Sequence, residues 1–329
     1  MSLPEIKYCP CTMSEGFDTY SKTALKKMFH GKKVHHVLPY DSPMFDSDKD
    51  ELFAENRKHI SISGVQEKFS VLLEKNKLRL TKEGERGTYI LKPIPNFGKN
   101  ADQMPANEHL TMQIAKQVFG IETAENALIF FRDGASAYIT KRFDVDENGS
   151  KLAQDDFASL AERTPQTHGE NFKYLGNYAE LFELMQKYLS AYKSEAPKLL
   201  KILVFNYLFS NGDAHYKNFS ILETPTGDYR LSPAYDLLNS RLHVSDKDFA
   251  LEDGLLPRNL AHGKIGLQFA KLAEKAKIND KTFLGIMNLM TSKKDVVEKL
   301  TFSSFLNDNT KRNFFQSYLR RLILLSKEF

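Results

Sequence analysis

The sequence holds two cysteines, Cys9 and Cys11, separated by a single residue. That spacing is too tight for an easy disulfide, and two thiols are too few for a four-ligand zinc site. A reducing compartment fits this usage. No apolar run reaches the roughly eighteen residues of a membrane helix, and the opening MSLPEIKYCPCTMSEG lacks the apolar core of a signal peptide. A cytoplasmic chain with no membrane contact is expected. An excess of one charge is also missing: 46 Lys and Arg stand against 42 Asp and Glu, a net +4, and the basic residues are scattered. Wholesale binding to a phosphate backbone is therefore not implied, and contact with DNA is expected only through a partner. Repeats and low-complexity tracts are absent. What remains is an ordinary globular composition, 41% hydrophobic and 27% charged. A chain of 329 residues buries a sizeable core and favours two lobes over one.

The segment before Phe69 reads as irregular, with GKKVHHVLPYDSP as loop. From there FSVLLE and LRLT alternate around a polar turn, and TYILKP adds a strand, which makes a hairpin meander. PANEHLTMQIAKQVFG places Leu110, Ile114, Ala115 and Val118 at helical spacing and closes on Gly120. ALIFFRDGASAYITKRFD returns to strands, with Asp133-Gly134 as the hairpin turn. After Asp144 the readings are helical: LAQDDFASLAER, NYAELFELMQKYLSAY, APKLLKILVFNYLFSN, KIGLQFAKLAEKAKI, DKTFLGIMNLM and DNTKRNFFQSYLRRLILLS. The expected fold class is α+β, a β-rich N-terminal lobe over residues 1–144 and a helical C-terminal lobe over 145–329.

The chemistry concentrates in LLKILVFNYLFSNGDAHYKNFSIL. Its apolar stretch, 197–210, reads as a buried central helix that stops at Asn211-Gly212, and the loop beyond throws its polar side chains into a cleft. Asp213 and Asn218 have the D-x-x-x-x-N spacing of kinase catalytic loops, where the aspartate takes the proton of the attacking hydroxyl and the asparagine holds magnesium. FSIL, the turn Pro225-Thr226-Gly227-Asp228 and the strand YRLSPAYDLL form a hairpin that returns Asp236 beside Asp213. Two carboxylates and an amide then converge where a divalent cation bridging phosphates needs them. Lys92 in YILKP stands where a kinase grips the α- and β-phosphates, and Glu108, in the first turn of the next helix, is the carboxylate to orient it. The loop SISGVQEKFSV brings Ser61, Ser63, Gly64, Val65 and Gln66 over the phosphates, though with one glycine it is no G-x-G-x-x-G. Lys141, Arg142 and Phe143 lie at the seam between lobes, where hinge backbone meets adenine. Lys68 reads as solvent-facing, and the cysteines as ordinary thiols.

SGVQEKFS, ILKP, NEH, KRFD, NGDAHYKNFS and LSPAYDLL, in that order between about residues 60 and 240, resemble the HipA-like serine/threonine kinases of bacterial toxin–antitoxin systems. The resemblance implies a two-lobed protein-kinase-like fold, use of ATP and Mg2+, and phosphorylation of a protein, in the family an aminoacyl-tRNA synthetase, which stops translation. Carried over by position, Asp213 is the catalytic base, Asn218 and Asp236 are the magnesium ligands, Lys92 is the phosphate-binding lysine, and Lys141 to Phe143 are the adenine hinge. His215 reads as a structural member of the catalytic loop, grouped with Lys217 in the nucleotide-binding set. The short region before the loop resembles the HipT type, in which an N-terminal subdomain is a separate small protein of the same operon, beside a DNA-binding antitoxin. Both are implied partners, and a lobe lacking its subdomain is expected to leave apolar or edge-strand surface bare. Ser61 and Ser63 are expected autophosphorylation sites, since a phosphate there repels the incoming triphosphate. Two other classes compete. A small-molecule phosphotransferase of the aminoglycoside kind shares the Asp–Asn–Asp geometry but not the SGVQ and GDAHYKNFS wording. A catalytically dead scaffold or co-repressor has no need of Lys92, Asp213, Asn218 and Asp236 together.

Overall fold

Alternating apolar residues along five segments build one antiparallel sheet in the first lobe. Its strands are β1 (Phe69–Glu74), β2 (Lys77–Leu80), β3 (Tyr89–Pro93), β4 (Asn126–Phe130) and β5 (Ser136–Lys141), in the order β2-β1-β3-β5-β4. The structure, a computed structural model, describes residues 5–43, 66–145 and 150–327. Ser61, Ser63, Gly64 and Val65 lie outside the described residues. The β4–β5 turn uses Asp133-Gly134 as expected: Gly134 has φ 90°, and the Asp133 carboxylate accepts the Ala135 N–H at 3.0 Å.

Because strand side chains alternate between faces, the sheet contributes to two cores. Val71, Leu91, Ala127, Ile129, Ala137 and Ile139 point to one; Leu128, Phe130 and Tyr138 point to the other. The first core is closed by residues of the segment read as irregular. A helix there, α1 (Lys22–Phe29), starts where the Ser21 hydroxyl accepts the Ala24 N–H at 3.2 Å and ends at His30 in the left-handed region. It buries Ala24, Met28 and Phe29 against the sheet, beside Cys9 and Cys11, which are buried free thiols. Eight residues give too few turns for its periodicity to stand out in sequence. The same segment closes the β4 edge: Leu128 N–H donates to Pro10 O at 2.7 Å, Phe130 N–H to His36 O at 2.9 Å, and Leu38 N–H to Phe130 O at 2.7 Å. The β4 edge of this lobe is therefore covered by the chain's own N-terminal arm. The opposite edge, β2, carries Lys77 and Arg79, charges of the kind that discourage edge pairing.

The second face is covered by α2 (Met104–Gln117), which begins with Pro105 in its first turn and places Glu108 in its second. Glu108 is thus a buried mid-helix residue, beyond the first-turn position expected for it. In the second lobe LAQDDFASLAER splits into a strand, β6 (Gln154–Asp156), and a single helical turn capped by Asp156. With β7 (Ser220–Glu223) and β8 (Tyr229–Leu231) it forms a three-stranded sheet, order β6-β7-β8. The longer helices are α3 (Ala179–Tyr188), α4 (Tyr192–Leu208), α5 (Ile265–Lys275), α6 (Asp280–Thr291), α7 (Lys294–Phe302) and α8 (Asp308–Ser326). The central helix α4 starts earlier than its apolar run and carries Pro197 inside it. Around its end Phe205 stacks on Phe209 at 4.4 Å, Phe209 on Tyr318 at 4.9 Å, and Phe119 meets Phe205 edge-on at 5.7 Å. Leu110 and Ile114 of α2 lie in this same core, so the apolar interior runs across residue 144 without a break. Among the described residues no helix is long and apolar enough to cross a membrane.

Candidate functional site

The loop after α4 is set by turn chemistry. Gly212 donates its N–H to Ser240 Oγ at 2.9 Å, and a Cβ on it would lie 2.4 Å from the Asp246 carboxylate, so the position admits no side chain. His215 N–H donates to Asp213 O at 2.8 Å and to Asn218 Oδ1 at 3.1 Å, while Asn218 N–H returns to His215 O at 2.9 Å. This ring of bonds aims Asp213 and Asn218 into the cleft. The Asp213 carboxylate opens to solvent, yet the walls around it desolvate it enough to raise its pKa against the opposing pull of Tyr174 and Lys173. Tyr174 donates its hydroxyl to Asp213 Oδ1 at 2.8 Å. Burial and the nearby Lys173 charge push His215 down to about 3, so its ring is neutral at physiological pH. Its Nδ1 is buried with no partner. Lys217 is exposed, and its carbonyl accepts the Tyr235 hydroxyl at 2.9 Å.

Asp236 follows β8 in the left-handed conformation, φ 55°, which aspartate tolerates better than most residues. Its carboxylate is the hub of the cleft. Oδ1 pairs with the Lys92 ammonium, and Oδ2 lies 3.4 Å from Lys68 Nζ and 3.3 Å from Asn218 Nδ2. Burial pushes this carboxyl up, but Lys68 and Lys92 outweigh it and hold it well below the usual range. Lys92 points to the α2 face of β3, where Leu91 cannot, and its ammonium meets Glu108 Oε1 at 2.5 Å and the Tyr138 ring at 5.3 Å. Lys92 is 3% exposed and Glu108 2%. Desolvation opposes the Lys92 charge, and the two carboxylates overcome it, keeping the amine protonated. Burial raises Glu108 while the ammonium beside it pulls the other way; at this separation the pair is ionic. α2 is fixed to the Asp236 segment through the buried Asn107, whose Nδ2 donates to Asn239 O at 2.9 Å and whose Oδ1 accepts Asn239 N–H at 3.2 Å.

The donor set fits a magnesium ion bound together with phosphates. Asp236 offers carboxylate oxygens, and Asn218 Oδ1 keeps a lone pair beyond the one His215 uses. Among the described residues no group of three His, Cys, Asp or Glu side chains forms a closed metal cage. Gln66 donates to Pro93 O at 3.2 Å, which ties the end of the upstream loop next to Lys92. At the seam, Lys141 N–H donates to Glu125 O at 2.8 Å and Arg142 N–H to Thr88 O at 2.9 Å, and Phe143 packs on Tyr235 at 5.6 Å. Three residues escaped the sequence reading. Lys68 is exposed, as read, and also stands 3.4 Å from Asp236, and its signal was its place in SGVQEKFS. Lys173 and Tyr174 come from a short 3-10 turn, Phe172–Tyr174, that no spacing marks.

A β-sheet lobe and a helical lobe that bring a strand lysine, a helix glutamate, a loop Asp–Asn pair and a second aspartate into one cleft define a protein-kinase-like fold. Residues 60–297 match the family model described as HipA-like C-terminal domain, and the chain belongs to that family. It is 24% identical to a provisionally named kinase of Haemophilus influenzae over 99% of this chain and 98% of that one. A Sinorhizobium fredii protein with the provisional name kinase Y4dM is 28% identical over 75% of this chain and 61% of its own. Among solved structures, the chain is similar to HipA of the Shewanella oneidensis toxin–antitoxin system, determined with HipB and operator DNA. The TM-score is 0.60 at 19% identity, over 88% of this chain and 68% of that one. The Helicobacter pylori proinflammatory kinase CtkA matches with TM-score 0.53 at 14% identity, over 78% of this chain and 95% of that one.

Proposed function

We propose that this chain is an ATP- and Mg2+-dependent serine/threonine protein kinase acting as the toxin of a bacterial toxin–antitoxin system. The observation that carries the reading is the buried Lys92 ammonium held between Glu108 and Asp236, with Asn218 and Asp213 facing the same cleft. Such a lysine is pre-charged and pre-aimed at a triphosphate, and phosphoryl transfer needs little beyond positioning and charge neutralisation. Asp236 and Asn218 would hold a magnesium ion, whose chemistry there would be to neutralise charge on the phosphates. Asp213 receives the acceptor's proton, and its raised pKa makes it a stronger base than an ordinary exposed carboxylate. Gln66, Lys217, His215 and the Lys141–Phe143 seam border the nucleotide; Ser61, Ser63, Gly64 and Val65, the other residues assigned to its phosphates from sequence, lie outside the described residues.

The acceptor is a protein, an aminoacyl-tRNA synthetase by analogy with the family, and its phosphorylation arrests translation in the cytoplasm. The partners are a DNA-binding antitoxin and a small subdomain-like protein of the same operon, in the HipT arrangement, with DNA reached only through the antitoxin. Phosphorylation of Ser61 or Ser63 lowers activity. The test is ATP-dependent incorporation of labelled phosphate by wild type, Asp213→Ala and Asp236→Asn, together with growth on expression in bacteria. Wild type is expected to label a host protein and arrest growth; both variants are expected to lose at least 100-fold in rate, the scale of removing one preorganised electrostatic contact (about 10²–10³). Undiminished transfer in either variant refutes the assignment, label found only on a metabolite favours a small-molecule phosphotransferase, and partner binding without any transfer favours a scaffold.

A further inference from the structure

The catalytic aspartate already holds a hydroxyl, and it is the chain's own. Tyr174 donates to Asp213 Oδ1 at 2.8 Å. A base carboxylate that takes an acceptor's proton holds the acceptor hydroxyl within about 2.6–3.2 Å, which is the relation seen here. The backbone that carries the phenol is anchored at three carbonyls. Glu252 N–H donates to Tyr174 O at 2.9 Å, Asp253 N–H to Gly176 O at 3.0 Å, and the Arg163 guanidinium to Leu175 O at 2.7 Å. The Tyr174 ring also meets His215 edge-on at 5.1 Å.

The surroundings suit a phosphorylated product. The Lys173 ammonium stands 5.0 Å from the Tyr174 ring centre. Burial lowers the Lys173 pKa, the Asp213 charge opposes it, and the Lys217 and Lys68 charges lower it further. Burial first and the Asp213 charge second raise the Tyr174 phenol above its ordinary value. It therefore enters any reaction protonated and requires a base, which is the group it touches.

We propose that Tyr174 is an intramolecular phosphoryl acceptor, a tyrosine self-modification site in a chain otherwise read as a serine/threonine kinase. The inference rests on the kinase reading above. In the step, the Tyr174 oxygen forms a bond to the γ-phosphorus of ATP, the bond from that phosphorus to the β,γ-bridging oxygen breaks, and ADP departs with the electron pair. The phenol proton passes to Asp213, and nothing is oxidised or reduced. The product carries roughly −1.5 to −2 charges at neutral pH, and the Lys173 ammonium lies beside the ring that would bear them. The product also stands on Asp213, so external acceptors are shut out until the phosphate is removed.

The experiment uses the full chain, treated with phosphatase and freed of it, then incubated with ATP and Mg2+. ADP release, intact mass and peptide mapping are followed for wild type, Asp213→Ala and Tyr174→Phe, with casein as an external acceptor. The expected result is phosphate on Tyr174 in wild type, loss of that phosphate in Asp213→Ala, and faster labelling of casein by Tyr174→Phe. ADP release, casein labelling or phosphate confined to Ser61 or Ser63, with Tyr174 bare in the wild type, overturns the inference and leaves the kinase reading standing. No ADP and no label on any acceptor removes both. The decisive readout is mapping of the wild type, so it stands whether or not Tyr174→Phe folds well.

Discussion

Replacing Lys92 by methionine keeps the length of the side chain and removes its charge, leaving Glu108 buried at 2% exposure with no cation beside it. Removing one partner of a buried pair costs about 3–5 kcal/mol, because the surviving charge is uncompensated. Asp236 suffers less, since its carboxylate is a quarter exposed and Lys68 remains 3.4 Å away. With about 2–4 °C lost per kcal/mol in a chain of this class, the melting temperature should fall by on the order of 10 °C at pH 8. The pH dependence identifies the cause. In the wild type Lys92 is held protonated above its ordinary range, so its contribution is intact through neutral pH and is lost only under strong alkali. Asp236 is depressed, so its share is present above about pH 4 and is lost as the pH falls through its folded value. In Lys92→Met, burial raises the unopposed Glu108 carboxyl. A raised carboxyl favours the folded state only while protonated, so the deficit against wild type should be small near pH 4.5 and grow as the pH rises. Calorimetric melts of both proteins across that range measure it. A Lys92→Met protein melting within about 2 °C of wild type at pH 8, with a parallel pH profile, would refute the ionic reading of this triad.

Asn107→Leu should destabilise the chain by about 2–3 kcal/mol, through lost bonds to Asn239, and weaken ATP binding in a titration, because Glu108 and Asp236 lose their common anchor. Phe209→Ala opens a cavity amid Phe205, Phe314 and Tyr318 and should cost about 3–5 kcal/mol in urea unfolding. Cys9 and Cys11, both buried, should resist a thiol reagent in the native protein and react within the mixing time in denaturant.

The parts of this molecule that sequence reveals are those written as period or as fixed spacing. The β1–β2 and β4–β5 hairpins follow from alternation around polar turns, and the Asp213, Asn218, Lys92 and Asp236 side chains fall in one cleft as their spacing and strand context require. Elements below the length at which period is visible were lost. Gln154–Asp156 is a strand of polar residues stabilised by its neighbour β7 rather than by any pattern of its own. α1 draws its stability from the sheet it covers, which lies far along the chain. The beginning of α4 was hidden by Pro197, which lies in the second turn of the helix, where it has no N–H to donate to the turn before it. Tyr174 is the clearest case, because its meaning comes wholly from an aspartate 39 positions away.

The placement of α2 has a mechanical consequence. In a two-lobed catalyst the helix bearing the lysine's carboxylate is a natural lever: swung outward, it parts the ion pair and silences the enzyme. Here that lever is cemented. Leu110 and Ile114 are set in the interior of the helical lobe, Asn107 is stitched to Asn239, and His109 lies edge-on to Phe305 beyond α7. Pulling the helix away means breaking into the protein's main apolar interior, at a cost comparable with unfolding. A posture with this helix swung outward is therefore costly, which favours restraint imposed at the mouth of the cleft, by whatever occupies or chemically alters it.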